Sequence, residues 1–293
     1  MIKLVIPAKM ISDERILTMN AVQIAIISAA SAIALLLIIY LFLAAPKRSR
    51  RAQTLEFARV KYAHRGLHGG TRAENSLSAF AAAVEKGYGI ELDVRLSRDG
   101  ELVVFHDDTL ERMTDAEGRV DSKTLSELKE LSLGGGEEKI PTFAEVLALV
   151  DGKVPLLVEI KEDAFKYGVT EKTAEMLKNY KGRYMIESFN PLAVQRFKKL
   201  MPSVIRGQLA ENYLKQKKYR KPMYFLLQFF MLNFLASPDF IAYNHQECGT
   251  VGFGIQRHVF RPALFAWTVR SAEAESAAKK HGFDGIIFED YTA

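Results

Sequence analysis

The sequence predicts an α/β chain folded as a TIM (β/α)8 barrel, with a small insertion after the second strand and one transmembrane helix ahead of the barrel. Three observations predict this. From Val60 onward, short apolar runs alternate with amphipathic stretches, the pattern of parallel strands joined by crossover helices. Eight such runs fall within residues 60–293, close to the usual barrel length of about 250 residues. Ionisable residues recur at the C-terminal ends of these runs, the face on which barrels of this kind hold their catalytic groups.

The first element lies outside the barrel. No charged residue occurs between Arg15 and Lys47, and residues 21–43 read AVQIAIISAASAIALLLIIYLFL. As a helix rising about 1.5 Å per residue, this stretch crosses a bilayer core of about 30 Å. It is longer than the apolar region of a cleavable signal peptide, about 7–15 residues, and no Ala-x-Ala site follows it. The expected organisation is an N-terminal flank over 1–20, a transmembrane helix over 21–45, a basic lead-in over 46–59 and the barrel over 60–293. Lys47, Arg48, Arg50 and Arg51 crowd the C-terminal flank, whereas Lys3, Lys9 and Arg15 are spread along the N-terminal one. Positive charge stays on the cytoplasmic side, so the expectation is a single-pass membrane protein with a cytoplasmic barrel.

Within the barrel, strands are expected at 60–63, 89–94, 102–105, 155–160, 183–187, 204–208, 240–243, 265–269 and 285–288. The run at 102–105 reads as the return arm of a hairpin, which leaves eight. Helices are expected at 76–86, 142–150, 170–180, 191–200 and 272–281. Residues 107–141 are polar, with Gly118 and glycines at 134–136; they form the expected insertion, with a short helix over TLSELKEL at 124–131. Residues 212–235 open with Lys215, Lys217, Lys218, Arg220 and Lys221 and continue as MYFLLQFFMLNFL from 223. That run is too short for a span of about 20 residues and apolar nearly all round, unlike an outer barrel helix with one wet face. It reads either as a segment that docks the barrel mouth onto lipid or as a plain fifth barrel helix packed on the core. No outer helix is expected after the last strand, and residues 52–59 are expected to cover the barrel instead.

Bulk composition limits the partners. The chain has 40 Lys+Arg against 35 Asp+Glu, a net charge of +5; this excess suits a surface near anionic membrane lipids and does not argue for nucleic acid. The single cysteine, Cys248, excludes an intramolecular disulfide and a thiolate metal cluster.

The expected strand ends carry a consistent chemistry. Glu91 and Asp93 are two apart and so share one side of their strand, as do Glu159 and Lys161. Three carboxylates at adjacent strand ends repel unless a cation joins them. All-oxygen ligands suit a hard divalent metal, Mg²⁺ or Ca²⁺. His64 and His106 sit at the same face, and an ordinary imidazole pKa of about 6.5 suits a paired acid and base near neutral pH. Arg65 and Lys161 suit an anionic substrate. Together these groups fit cleavage of a phosphate ester.

The stretches AHRGLHGGTRAENSLSAF (63–80), GIELDV (89–94), LVVFHDD (102–108), LVEIK (157–161), ESFNP (187–191), WTV (267–269) and DGII (284–287) occur in that order. In order and spacing they resemble the glycerophosphodiester phosphodiesterase family, over about residues 60–290. The resemblance implies a TIM barrel with an insertion after the second strand. It implies that His64 and His106 are catalytic, that Glu91, Asp93 and Glu159 bind the metal with Glu74 a further candidate, and that Arg65 and Lys161 contact phosphate. Trp267 and Phe189 would line the substrate pocket. The reaction implied is hydrolysis of a glycerophosphodiester to glycerol phosphate and an alcohol. A lysophospholipase D-type cleavage of lysophospholipid headgroups is the enzymatic alternative, and a non-catalytic membrane scaffold the alternative of another class. The chain departs from the family pattern at Ala73, where Pro is common, at Arg270, where Asn is common, and at Phe288-Glu289, where Thr-Asp is common.

Overall fold

The computed structural model describes residues 21–215 and 221–293. Lys3, Lys9 and Arg15 of the N-terminal flank, and Lys217, Lys218 and Arg220 of the basic stretch, lie outside the described residues. The chain divides between Phe42 and Leu43 into two compact units.

The first unit carries helix α1 (Ala21–Ala44), which runs two residues into the second. Its 24 residues extend about 36 Å at about 1.5 Å per residue. Side chains such as Ile26, Ile33, Leu36 and Phe42 are exposed. The helix is long and apolar enough to cross a membrane.

The second unit is a closed barrel. Its strands are β1 (Tyr62–Ala63), β2 (Gly89–Leu96), β3 (Leu102–Val104), β4 (Leu156–Ile160), β5 (Tyr184–Ser188), β6 (Arg206–Ala210), β7 (Phe240–Asn244), β8 (Ala263–Val269) and β9 (Gly285–Phe288). The sheet order is β1-β9-β8-β7-β6-β5-β4-β2-β3, and β1 also pairs with β2, which closes the ring. Every pairing in the ring is parallel, and β3 alone runs antiparallel, on β2. The eight-stranded parallel barrel and the hairpin arm are therefore as the alternation implied.

Helices α3 (Leu77–Glu85), α5 (Phe143–Val150), α6 (Gly168–Leu177), α7 (Pro191–Leu200) and α11 (Ala272–Lys280) surround it. Side-chain caps set several of their starts: Ser76 accepts from the Ala79 amide, and Thr142 and Glu145 form a reciprocal capping box. The insertion contains α4 (Leu125–Glu130), started by a second capping box of Thr124 and Glu127. Its own small core joins Val103, Phe105, Leu110, Val120, Leu128 and Ile140.

Three features depart from the alternation. Helix α2 (Arg51–Ala58) does not stand in for an outer helix; Phe57 enters the core cluster with Tyr62, Met185, Phe240 and Phe265. Since α2 leads directly into β1, it closes the floor of the barrel. The basic and apolar segment does not form one helix; it makes α8 (Pro222–Gln228) and α9 (Asn233–Ala236), broken at Phe230 with φ +57°. After β7 the chain forms α10 (Val251–Ile255), continued by a π-helical turn at Gln256–Phe260. Two glycines hide this helix in the sequence, and one is required by packing: a Cβ on Gly252 would lie 2.2 Å from the Gln228 carbonyl oxygen of α8.

Candidate active site

The strand ends converge on a cavity of about 600 Å³ at the C-terminal mouth. β1 ends at Ala63, so His64 and Arg65 begin the first loop; Arg65 takes φ +56° and Gly66 φ +83°. A Cβ on Gly66 would lie 2.9 Å from Ala79 Cβ, so this turn needs glycine. The turn delivers the Arg65 amide to Glu91 Oε2 at 2.9 Å and the guanidinium to Glu74 Oε1 at 2.8 Å. Asn75, also at φ +56°, donates Nδ2 to Asp93 Oδ2 at 2.9 Å.

Strand register assembles the acids. On β2, Glu91 and Asp93 turn to the interior, and Asp93 is the register partner of Glu159 on β4, which in turn pairs with Glu187 on β5. Glu91, Asp93 and Glu159 are buried and offer oxygens within 4.8 Å of one another. Lys161 Nζ lies 3.0 Å from Asp93 Oδ1 and 2.7 Å from Glu159 Oε1. Burial, reinforced by Asp93 and Glu159, pushes Glu91 well above the usual carboxylate range. Burial likewise raises Glu159, although Lys161 offsets part of the rise. Burial and the charge of Glu159 raise Glu187 well above that range. Burial opposes ionisation of Asp93 too, but Lys161, His106 and Arg65 outweigh it and hold Asp93 well below its ordinary value. Four buried acids thus face two cations, Arg65 and Lys161, and the group is short of positive charge. Glu187 Oε2 is buried without a hydrogen-bond partner. This all-oxygen donor set fits a hard divalent cation.

The two histidines flank the acids. His64 Nδ1 lies 2.5 Å from Glu289 Oε2, and Nε2 lies 4.0 Å from Glu91 Oε2. Burial brings the His64 pKa down to about 4 against the pull of Glu289. Glu289 is paired in turn with Arg270. His106 Nδ1 lies 2.6 Å from Asp107 Oδ1, and Arg112 Nε lies 2.5 Å from Asp107 Oδ2. The His106 carbonyl accepts from Arg95 Nε at 3.0 Å, which holds the loop against β2.

The structure therefore gathers His64, Arg65, Glu91, Asp93, His106, Glu159 and Lys161 at one mouth. Phe189 and Trp267 line the same cavity, edge to face with centroids 5.7 Å apart. Glu74 stands apart from the three acids, held by Arg65 and by Arg112 at 2.9 Å. Sequence reasoning passed over Glu187, Glu289 and Arg95. Glu187 was open to detection, because it occupies on β5 the strand-end place that Glu159 occupies on β4. Glu289 also follows a strand end, after β9, but its pairing with His64 depends on β9 lying beside β1.

Comparison with known proteins agrees with this geometry. The chain is 37% identical over 231 residues to a glycerophosphodiester phosphodiesterase of Caldanaerobacter subterraneus subsp. tengcongensis, covering 74% of this chain and 88% of the relative. Its fold matches a phosphodiesterase of Oleispira antarctica, solved with its product sn-glycerol-3-phosphate, with TM-score 0.65 and 25% identity over 80% of this chain and 94% of that one. It also matches the glycerophosphodiester phosphodiesterase of Thermotoga maritima, with TM-score 0.59 and 28% identity over 78% of this chain and 94% of that one. Residues 64–292 match the glycerophosphoryl diester phosphodiesterase family, and the chain belongs to that family as a phosphoric diester hydrolase.

Proposed function

We propose that the chain hydrolyses glycerophosphodiesters to glycerol phosphate and an alcohol in a reaction that depends on a divalent metal. The observation that carries this reading is the meeting of three buried carboxylates within 4.8 Å beside two carboxylate-bound histidines. Glu91, Asp93 and Glu159 would hold the ion, and the buried Glu187, whose Oε2 has no hydrogen-bond partner, stands beside Glu159 in the sheet register. When bound, Mg²⁺ or Ca²⁺ supplies positive charge that orients and polarises the phosphodiester. Arg65 and Lys161 hold the anionic phosphate. His64, kept neutral near pH 7 by burial, accepts a proton through Nε2 from the attacking hydroxyl, of water or of the substrate glycerol. Glu289 orients the ring through Nδ1 and stabilises the imidazolium that results. His106, held by Asp107, donates a proton to the leaving alcohol.

The test is turnover of a soluble glycerophosphodiester. Exhaustive chelation should abolish activity, and Mg²⁺ or Ca²⁺ should restore it. Glu159→Gln should sharply raise the metal concentration needed, because an anionic ligand is removed from a small oxygen site. Full activity in excess chelator would overturn the metal dependence.

The site of action is proposed as the cytoplasmic face of a membrane. Helix α1 has the length and apolarity of an anchor, and Lys47, Arg48, Arg50 and Arg51 follow it.

A further inference from the structure

A second cavity adjoins the catalytic one. Its volume is about 680 Å³, within the roughly 300–1,000 Å³ of sites that take small ligands. It is lined mainly by apolar side chains from three successive strand-to-helix connections: Phe165 after β4, Leu192 after β5, and Met223, Leu227, Leu232 and Leu235 after β6. Arg95, Asp108, Glu159, Lys161 and Phe189 line both cavities. The groove is thus continuous with the place where phosphate would lie, and a substituent on that phosphodiester reaches it without leaving the protein.

The groove also accounts for the apolar run at 223–235. Gln228, Phe230, Asn233 and Ala236 are buried toward the barrel. Leu227, Leu232 and Leu235 face the groove instead. A side of this segment is apolar where an outer helix would be wet, and a half-open groove beside the charged catalytic centre is lined with leucines. Soluble glycerophosphodiesters have no atoms to fill such a space.

We infer that the groove binds the acyl chain of a lysophospholipid, so that the substrate class of this enzyme is monoacyl glycerophosphodiesters. This rests on the phosphodiesterase reading above. The catalytic cavity is also lined by Glu211, Asn244 and Gln246, none of which lines the groove; these polar groups suit a cationic or hydroxylated head alcohol, which leaves the apolar arm to the glycerol. In the reaction, water oxygen forms a new bond to phosphorus and the bond from phosphorus to the head-alcohol oxygen breaks. One proton of the water passes to that oxygen, and acylglycerol phosphate and the free head alcohol leave.

The test uses the full chain in lipid nanodiscs, with glycerophosphocholine and with lysophosphatidylcholines of six to twelve acyl carbons below their micelle thresholds. Choline and acylglycerol phosphate are the products measured. kcat/KM should exceed that for glycerophosphocholine and rise by up to about fourfold per methylene while the groove fills. Leu227→Trp, which fills the groove, and Met223→Asp, which places charge at its exposed side, should each lower kcat/KM for the decanoyl substrate about tenfold or more. Both should leave glycerophosphocholine turnover within about twofold, because neither residue touches the phosphate. The ratio of variant to wild type cancels any partition of longer chains into the nanodisc. Equal loss on both substrates, or no preference for acylated ones, would overturn the inference and leave the phosphodiesterase reading intact. A greater gain from a decanoyl chain on the leaving alcohol, tested with glycerophospho-N-decanoylethanolamine, would overturn the placement on glycerol. Hydrolysis of none of these would overturn both readings.

Discussion

At the scale of residues, the site is a set of charges that depend on one another. Arg270 and Glu289 stand where the family pattern commonly has Asn and Asp, and the structure pairs them, with Glu289 also bound to His64. Two departures that look independent in the sequence are therefore one interaction, and a carboxylate still stands at the position beside His64. If His64 and His106 move protons, replacing either with Ala should lower turnover by roughly 10²–10⁴ while the far-ultraviolet circular dichroism stays unchanged. Glu289→Gln should cost less, because the ring keeps a hydrogen-bond partner and loses only its counter-charge. Turnover within a few-fold of wild type for both alanine variants would make the histidines structural.

Individual elements explain what holds the mouth in place and what surrounds it. The lead-in to α2 is fixed at the barrel floor by Arg50. Its guanidinium pairs with the fully buried Asp239 and donates to the carbonyls of Ser203, at 2.5 Å, and Val204, at 2.9 Å. Asp239 also accepts from the Arg206 amide at 3.1 Å. Arg50→Met leaves that carboxylate without its charged partner and should destabilise the barrel by about 3–5 kcal/mol, read from the denaturant midpoint at constant slope. The same arginine belongs to the basic cluster from which the orientation of α1 is proposed.

Elements α8 and α9 define the proposed lipid-facing edge more narrowly than the sequence does. Phe230 reads in sequence as exposed as Phe225, yet Phe230 is 2% exposed and Phe225 50%. Met223, Phe225 and Phe234 are the exposed apolar residues of this segment. The protein shortened to residues 43–293 should bind anionic liposomes in a sedimentation assay, less so at high salt. Serine at Phe225 and Phe234 should weaken binding without loss of fold. If the shortened protein ignores liposomes at low salt, α1 is left as the only link to the membrane.

For the whole molecule, the prediction is one of topology. With the basic cluster on the cytoplasmic side, protease added outside intact cells should spare the barrel, and lysis should expose it. Cleavage in intact cells would place the catalytic unit outside. The family and its enzymatic class set aside a purely scaffolding barrel, and intact His64, His106 and acid positions agree with catalysis.

The sequence by itself determined the parallel barrel, the hairpin arm, the insertion and the strand-end positions of Glu91, Asp93, Glu159 and Lys161. Each follows from a local rule: a period of two on a strand, a period near 3.6 on a helix, a capping residue before a turn. Tertiary structure decided the rest. Pairing of β4 with β5 set Glu187 beside Glu159, and closure of the ring set Glu289 against His64 across β9 and β1. Packing split the run at 223–235 between core, groove and solvent, which no local periodicity encodes. The physical reason is that burial and charge neutralisation at this site are properties of neighbours far apart in the chain, and those neighbours exist only once the barrel has closed.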